Sequence, residues 1–149
     1  MRPSWNEYFM GFAVLAGTRS TCCRRNVGAV LVKDNRILAT GYNGAPRGAE
    51  HCTHETCIRS VHDVPSGTRH ELCKGVHAEQ NLVCQAAFHG VSANGAAVYC
   101  THSPCSICYK LLVNAGVVKI YFRDKYLDPL TEQLRKECSV ELVLLPSSL

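Results

Sequence analysis

Two short stretches hold the residue types that bind metal and move protons: His77-Ala78-Glu79 and Pro104-Cys105-Ser106-Ile107-Cys108. Cysteines three apart in a first helical turn point the same way, so Cys105 and Cys108 can grip one ion while the helix N-terminus favours their thiolate forms. Pro104 at the start of that helix loses no hydrogen bond, because the amide it lacks would be unpaired there anyway, and its fixed φ stiffens the approach. With His77 the set becomes His-Cys-Cys. Three protein ligands leave the fourth tetrahedral position of zinc open to water, which is the catalytic arrangement rather than the structural one. Two thiolates neutralise the ion and lower the water's pKa less than three imidazoles would, so a nearby base has to take the proton, and Glu79 is the candidate. Residues two apart on a helix diverge by about 200°, so His77 and Glu79 can face one site only at the mouth of a helix. Taken singly, each stretch has a plainer reading. His-Ala-Glu fits a surface histidine beside a first-turn glutamate favoured by the helix dipole, and Cys-x-x-Cys fits a redox pair. Together, at two successive helix starts, they favour a metal.

The elements that must position these residues follow from periodicity. Ser4-Trp5-Asn6-Glu7 reads as a capping box ahead of Phe9, Phe12, Ala13 and Ala16, which predicts a helix over 4–17. The runs 27–33 and 36–42 are strands joined at Asp34-Asn35, a dipeptide that tolerates the left-handed turn of a tight hairpin. A helix over 77–89 carries Ala78, Leu82, Val83, Ala86 and Ala87 on one stripe and ends at Gly90. Then come a strand at 96–101, a helix at 105–115 stopped by Gly116, a strand at 117–122, a helix at 130–137 and a strand at 140–145. The order αββαβαβαβ demands crossover connections in its second half, with parallel strands and helices over the sheet. One α/β domain over 1–149, a three-layer αβα arrangement on a mixed five-stranded sheet with helices on both faces, accounts for the chain. The stretch 43–74 has no such pattern and is rich in Gly, Pro, Ser, Thr, His and Cys. It is too long for an ordinary connection, so it is expected to be functional or to be held by something other than an apolar core.

Composition narrows the classes further. A chain of 149 residues, 46% hydrophobic and 19% charged, can bury about 70% of its unfolded surface, so disorder is excluded. Charged residues and histidine interrupt every apolar run well short of the roughly 18 to 20 residues that cross a bilayer, so no transmembrane segment is expected. The opening MRPSWNEYFMGF lacks the unbroken apolar core of a signal peptide, which predicts a cytoplasmic protein. Ten cysteines in a reducing compartment point to metal or catalysis rather than disulfides. The formal charge of +4 suits a small anionic ligand. No block of five or six like charges tracks a phosphate backbone, so a long nucleic acid is not expected as partner.

The paired motifs form the His-x-Glu and Pro-Cys-x-x-Cys signature of zinc deaminases. At these residues the chain resembles the cytidine and deoxycytidylate deaminase superfamily over almost its whole length. Its likeness is greatest to the deoxycytidylate (dCMP) deaminases, through RSTCCRRNVGAVLV (Arg19 to Val32), GYNGAPRG (Gly41 to Gly48), HAEQN (His77 to Asn81) and SPCSIC (Ser103 to Cys108), in that order. The resemblance implies a cytidine-deaminase-like fold and hydrolytic loss of ammonia from C4 of dCMP. His77, Cys105 and Cys108 would be the zinc ligands and Glu79 the proton shuttle between water, ring N3 and the departing amine. It places Asn43 against the sugar, and the groups around Ala78 and Thr101 to Ser103 against the base.

A nucleotide also needs phosphate partners, and Arg24 or Arg25 before the first strand and Arg123 beyond the fourth lie where loops gather around an α/β site. For the cysteine-rich stretch the resemblance implies a second, structural zinc held by Cys22, Cys52, Cys57 and Cys73, with His70 as alternate. Reduced thiols on an ordered loop are the other reading. Cys84, Cys100 and Cys138 are expected to be small core residues. The family also implies a homo-oligomer and regulation by dCTP and dTTP. Deamination of cytidine, tRNA adenosine or guanine, and a zinc-stabilised binding module without catalysis, are the competing functions. The carboxylate of Glu79 beside an open metal position argues against the last.

Overall fold

The computed structural model describes residues 1–147. Ser4 opens α1 (Trp5–Gly17) with a complete capping box. Its hydroxyl accepts from the Glu7 amide at 3.3 Å while Glu7 Oε2 accepts from the Ser4 amide at 2.6 Å, satisfying two amides that the first turn leaves unpaired. The face that α1 buries is Phe9, Met10, Ala13 and Gly17 rather than the expected Phe9, Phe12, Ala13 and Ala16. The i, i+4 ridge 9-13-17 lies on the sheet, which turns Phe12 out to solvent.

β1 (Gly28–Lys33) and β2 (Arg36–Tyr42) form the expected hairpin, with Asp34 and Asn35 both left-handed at φ 50° and 55°, as a two-residue type I′ turn requires. Pairing jumps from Leu31 opposite Ala39 to Val32 opposite Ile37, so Leu38 bulges out of the ladder. β3 (Ala97–His102) runs antiparallel to β1, and β4 (Lys119–Asp124) and β5 (Glu141–Leu144) continue parallel, giving the order β2-β1-β3-β4-β5. This is the mixed five-stranded sheet anticipated from the element order. β4 begins two residues later than expected. Val117 is drawn into the end of the preceding helix, where its amide bonds Leu112 O and that of Gly116 (φ 88°) bonds Val113 O in a Schellman motif.

α3 (Ala78–Phe88) and α4 (Ser106–Asn114) bury Ala78, Leu82, Ala86, Tyr109 and Leu112 against one face of the sheet, where α5 (Pro129–Glu137) adds Leu134. α1 covers the other face with Phe9, Met10 and Ala13 over Val30, Val32 and Tyr99. Cys100 is buried and Cys138 half-buried as expected, but Cys84 is exposed, as is Ala87. α3 packs on β2 through 78, 82 and 86, and positions 84 and 87 lie off that stripe.

The stretch 43–74 contains only a single turn, α2 (Ile58–Val61), and a 3-10 turn, His70–Leu72. It is held by polar bonds, as its composition suggests. Arg59 is 7% exposed and donates to the carbonyls of Thr68 at 2.6 Å, Arg69 at 2.8 Å and Pro65 at 3.0 Å. No helix among the described residues is long and apolar enough to cross a membrane.

Close approach of α3 to β2 depends on one glycine. A Cβ on Gly41 would overlap the Ala78 carbonyl oxygen and stand 2.7 Å from Leu82 N, both backbone atoms that cannot swing away. Gly41→Ala is therefore expected to cost about 2 to 3 kcal/mol as overpacking and to lower Tm by about 4 to 12 °C. A thermal melt that leaves Tm unchanged would show that α3 yields freely.

Candidate active site

Both chemistry-bearing stretches occupy helix N-caps. His77 precedes α3 with φ −70° and ψ 157°, and Cys105 precedes α4 with φ −68° and ψ 167°. An N-cap side chain stands at the helix mouth rather than along its flank, so His77 and Glu79 share one site despite their spacing. The backbone amide of His77 is bonded by Gln80 Oε1 at 2.8 Å, which fixes the first turn of α3 and leaves the imidazole free to turn inward. α4 starts where β3 ends, so the two ligand segments meet at the carboxyl edge of the sheet, beside the first parallel crossover.

His77 Nδ1 lies 3.5 Å from Cys105 Sγ and 3.3 Å from Cys108 Sγ, and the three ligand atoms fall within 4.8 Å of one another. Tetrahedral zinc, about 2.3 Å from sulfur and about 2.0 Å from nitrogen, separates such a nitrogen and sulfur by about 3.5 Å. The donor set therefore already has the spacing that zinc requires. Cys105 is 4% exposed and Cys108 fully buried. The Cys108 thiol, hydrogen-bonded to Cys105, holds the Cys105 pKa well below the ordinary thiol range, and the same bond pushes Cys108 up. The hydrogen bond to Cys105 in turn raises the imidazole pKa of His77.

Glu79 is 5% exposed, and burial pushes its carboxyl above the ordinary carboxylate range. It lines a cavity of about 270 Å³ together with Asn43, Ala78, His102, Arg25 and Tyr126. Burial lowers the pKa of His102, whose Nδ1 lies 2.9 Å from Thr101 Oγ1. Ser103 Oγ donates to Tyr126 O at 3.0 Å and accepts from Tyr126 N at 2.7 Å, which pins the loop after β4 across the cavity.

The other residues singled out in the sequence divide by location. Arg25 reaches the cavity, its guanidinium donating to Ser66 Oγ at 3.3 Å and lying 5.4 Å from the centre of the Tyr126 ring. Arg24 lines it too but donates to Val64 O at 3.2 Å. Arg123 is not brought to the cavity. Its guanidinium instead forms a two-pronged pair with the neighbouring Asp124 at 3.1 and 2.7 Å. Asn43 lines the cavity while tying three neighbours together. Its Oδ1 accepts from Ser20 Oγ at 2.6 Å and Val27 N at 2.9 Å, and Nδ2 donates to Arg25 O at 2.8 Å, leaving one amide hydrogen free.

Cys22, Cys52, Cys57, Cys73 and His70 all line the same cavity. Among the described residues, only His77, Cys105 and Cys108 are gathered tightly enough to form a ligand set. His70 stacks edge-on against His77 at 5.3 Å, and its Nε2 is buried without a hydrogen-bond partner. Ser66 and Tyr126 are cavity residues that the sequence reading missed, since each reaches the site only through a loop with no local motif.

Residues 3–124 match the family model described as the cytidine and deoxycytidylate deaminase zinc-binding region. The chain is 41% identical over 128 residues to the deoxycytidylate deaminase of Mycobacterium phage D29, covering 81% of this chain and 95% of that protein. It is 39% identical over 142 residues to the deoxycytidylate deaminase of Schizosaccharomyces pombe, covering 95% of this chain but only 44% of that relative, which is more than twice as long. The crystal structure of the dCMP deaminase from cyanophage S-TIM5 in complex with dCMP and dUMP superposes with a TM-score of 0.80 at 34% identity, over 97% of this chain and 99% of that one.

Proposed function

The chain belongs to the cytidine and deoxycytidylate deaminase family, and from that premise we propose that it hydrolyses dCMP to dUMP with release of ammonia. The observation that carries the reading is the convergence of His77 Nδ1 with the Cys105 and Cys108 thiols beside the buried carboxyl of Glu79. These three would hold the zinc, which when bound supplies Lewis-acid polarisation of water. Glu79 takes a proton from the attacking water and passes it to ring N3. As the C4–N bond breaks it takes the second proton from the hydroxyl now on C4, which becomes the carbonyl, and delivers it to the 4-amino group, so that one carboxyl serves as base and then acid. Burial suits Glu79 to both roles, because a carboxyl pushed up by desolvation holds a proton more readily than a solvated one.

Substrate selection falls to the cavity wall. Arg25 would meet the phosphate, a role supported by its place in the cavity wall beside Ser66 and Tyr126. The remaining amide hydrogen of Asn43 would meet the sugar and the backbone around Ala78 the base. Similarity over nearly the full length of a protein whose structure contains dCMP and dUMP supports the nucleotide over the nucleoside. Hydrolysis of dCMP is expected to exceed that of cytidine and deoxycytidine by at least about 10²-fold in kcat/KM, since a site built around a charged group rejects the analogue lacking it. Comparable rates on dCMP and the nucleosides would overturn the assignment.

A second, structural zinc beside the insert is part of the same proposal. The buried and unpartnered Nε2 of His70, which lines the same cavity as Cys22, Cys52, Cys57 and Cys73, supports it. The ligands remain those expected from the sequence, Cys22, Cys52, Cys57 and Cys73 with His70 as alternate. A cytoplasmic location is part of the proposal, because ten cysteines suit a reducing compartment in which thiols serve as metal ligands. The outward aromatic strip of α1, Trp5, Tyr8 and Phe12, supports a homo-oligomer.

A further inference from the structure

A helix N-cap ordinarily satisfies the first free amides of its helix with its own side-chain oxygen. Cys105 sits at that position in α4 and makes no such bond, because its sulfur is turned to His77. The task passes to a distant residue. Asp128 Oδ2 accepts from the Ser106 amide at 2.7 Å, while Oδ1 of the same carboxylate accepts from the Leu130 and Thr131 amides at 3.0 and 3.2 Å, capping its own helix α5. Thr131 Oγ1 adds a bond to Pro104 O at 3.3 Å. The peptide units on either side of Cys105 are thus both tied to the start of α5, through side chains only 8% and 4% exposed.

We infer that Asp128 is a positioning residue of the metal centre, capping α4 from outside so that the sulfur of Cys105 stays free for zinc. The inference rests on the reading of Cys105 and Cys108 as zinc ligands. One carboxylate serves two helix starts, and each oxygen has its own task. A residue with a single side-chain oxygen can keep the α5 cap and still lose the tie to α4. Removing a group that orients a ligand typically weakens metal binding about 10- to 100-fold.

The test compares wild type with Asp128→Ser, which retains a capping hydroxyl for α5, and with Ser106→Pro, which deletes the donated amide at a helix position that tolerates proline. Zinc affinity is read by competition with a chelator. Ligand geometry is read from the thiolate-to-cobalt absorption of cobalt-substituted protein, counting only the part that Cys108→Ala removes. Both variants are expected to bind zinc about 10- to 100-fold more weakly with an altered cobalt band, and the double variant to be no worse than the weaker single one. Loss of Tm with wild-type affinity and an unchanged band in both would mean that Asp128 serves only the fold, and would overturn the inference. If Asp128→Ser does not fold, Ser106→Pro decides alone. A wild-type protein with no cobalt band sensitive to Cys108 would instead remove the reading of the ligands, and the inference with it.

Discussion

Glu79→Gln is expected to lower kcat on dCMP by about 10³-fold or more, leaving KM within a few-fold of wild type and zinc content unchanged. General acid–base catalysis by a positioned group contributes about 10² to 10⁴-fold, and here one carboxyl carries every proton transfer. Glutamine has the same shape, and it neither accepts the proton from water nor returns one to the amine. The fold has no reason to suffer, because the site is 5% exposed and already raises the pKa of the acid. The decline in ultraviolet absorbance as dCMP is consumed reads the rate directly. A loss confined to kcat would place the carboxyl in the transition state rather than in ground-state binding. Equal rates in the two proteins, or none in either, would argue for a zinc-stabilised binding module instead.

Cys108→Ala is expected to abolish activity and to remove one zinc ion per chain. Cys108 is fully buried beside Cys105 and His77, so its loss leaves two donors where three converged and opens a void around the metal position. Metal that binds only the folded chain stabilises it by about 4 kcal/mol when present at a thousandfold over its dissociation constant. Losing that contribution should lower Tm by about 8 to 16 °C. Elemental analysis is expected to give two zinc ions in wild type and one in the variant. One in wild type would remove the proposed second site at Cys22, Cys52, Cys57 and Cys73 with His70 as alternate. A variant with the full wild-type count would remove Cys108 from the ligands.

The sequence was enough wherever a motif closes over a few residues. Ser4 and Glu7 cap α1 three residues apart, Asp34-Asn35 turns the hairpin, and Cys105 and Cys108 share one helical turn. Alternation of strand and helix after residue 77 similarly left little freedom beyond parallel pairing, because a chain that climbs one strand and returns through a helix has to climb the next in the same direction. Exposure was less legible. Phe12, Cys84 and Ala87 have the residue types of a buried face, yet the angle at which α1 and α3 lie on the sheet turns them outward.

Residue types at short spacing thus determined on their own that a histidine and two cysteines would flank helix starts with a carboxyl nearby. That holds because N-cap geometry and the helical repeat are properties of a few consecutive peptide units. Only the tertiary structure decided that Asp128 caps a helix 22 residues away, that Arg25 reaches the cavity while Arg123 spends itself on Asp124, and that His70 is buried without a partner. Those outcomes depend on the path of loops whose local sequence permits many conformations. Burial, and the need of each desolvated polar group for a partner, selects one of them.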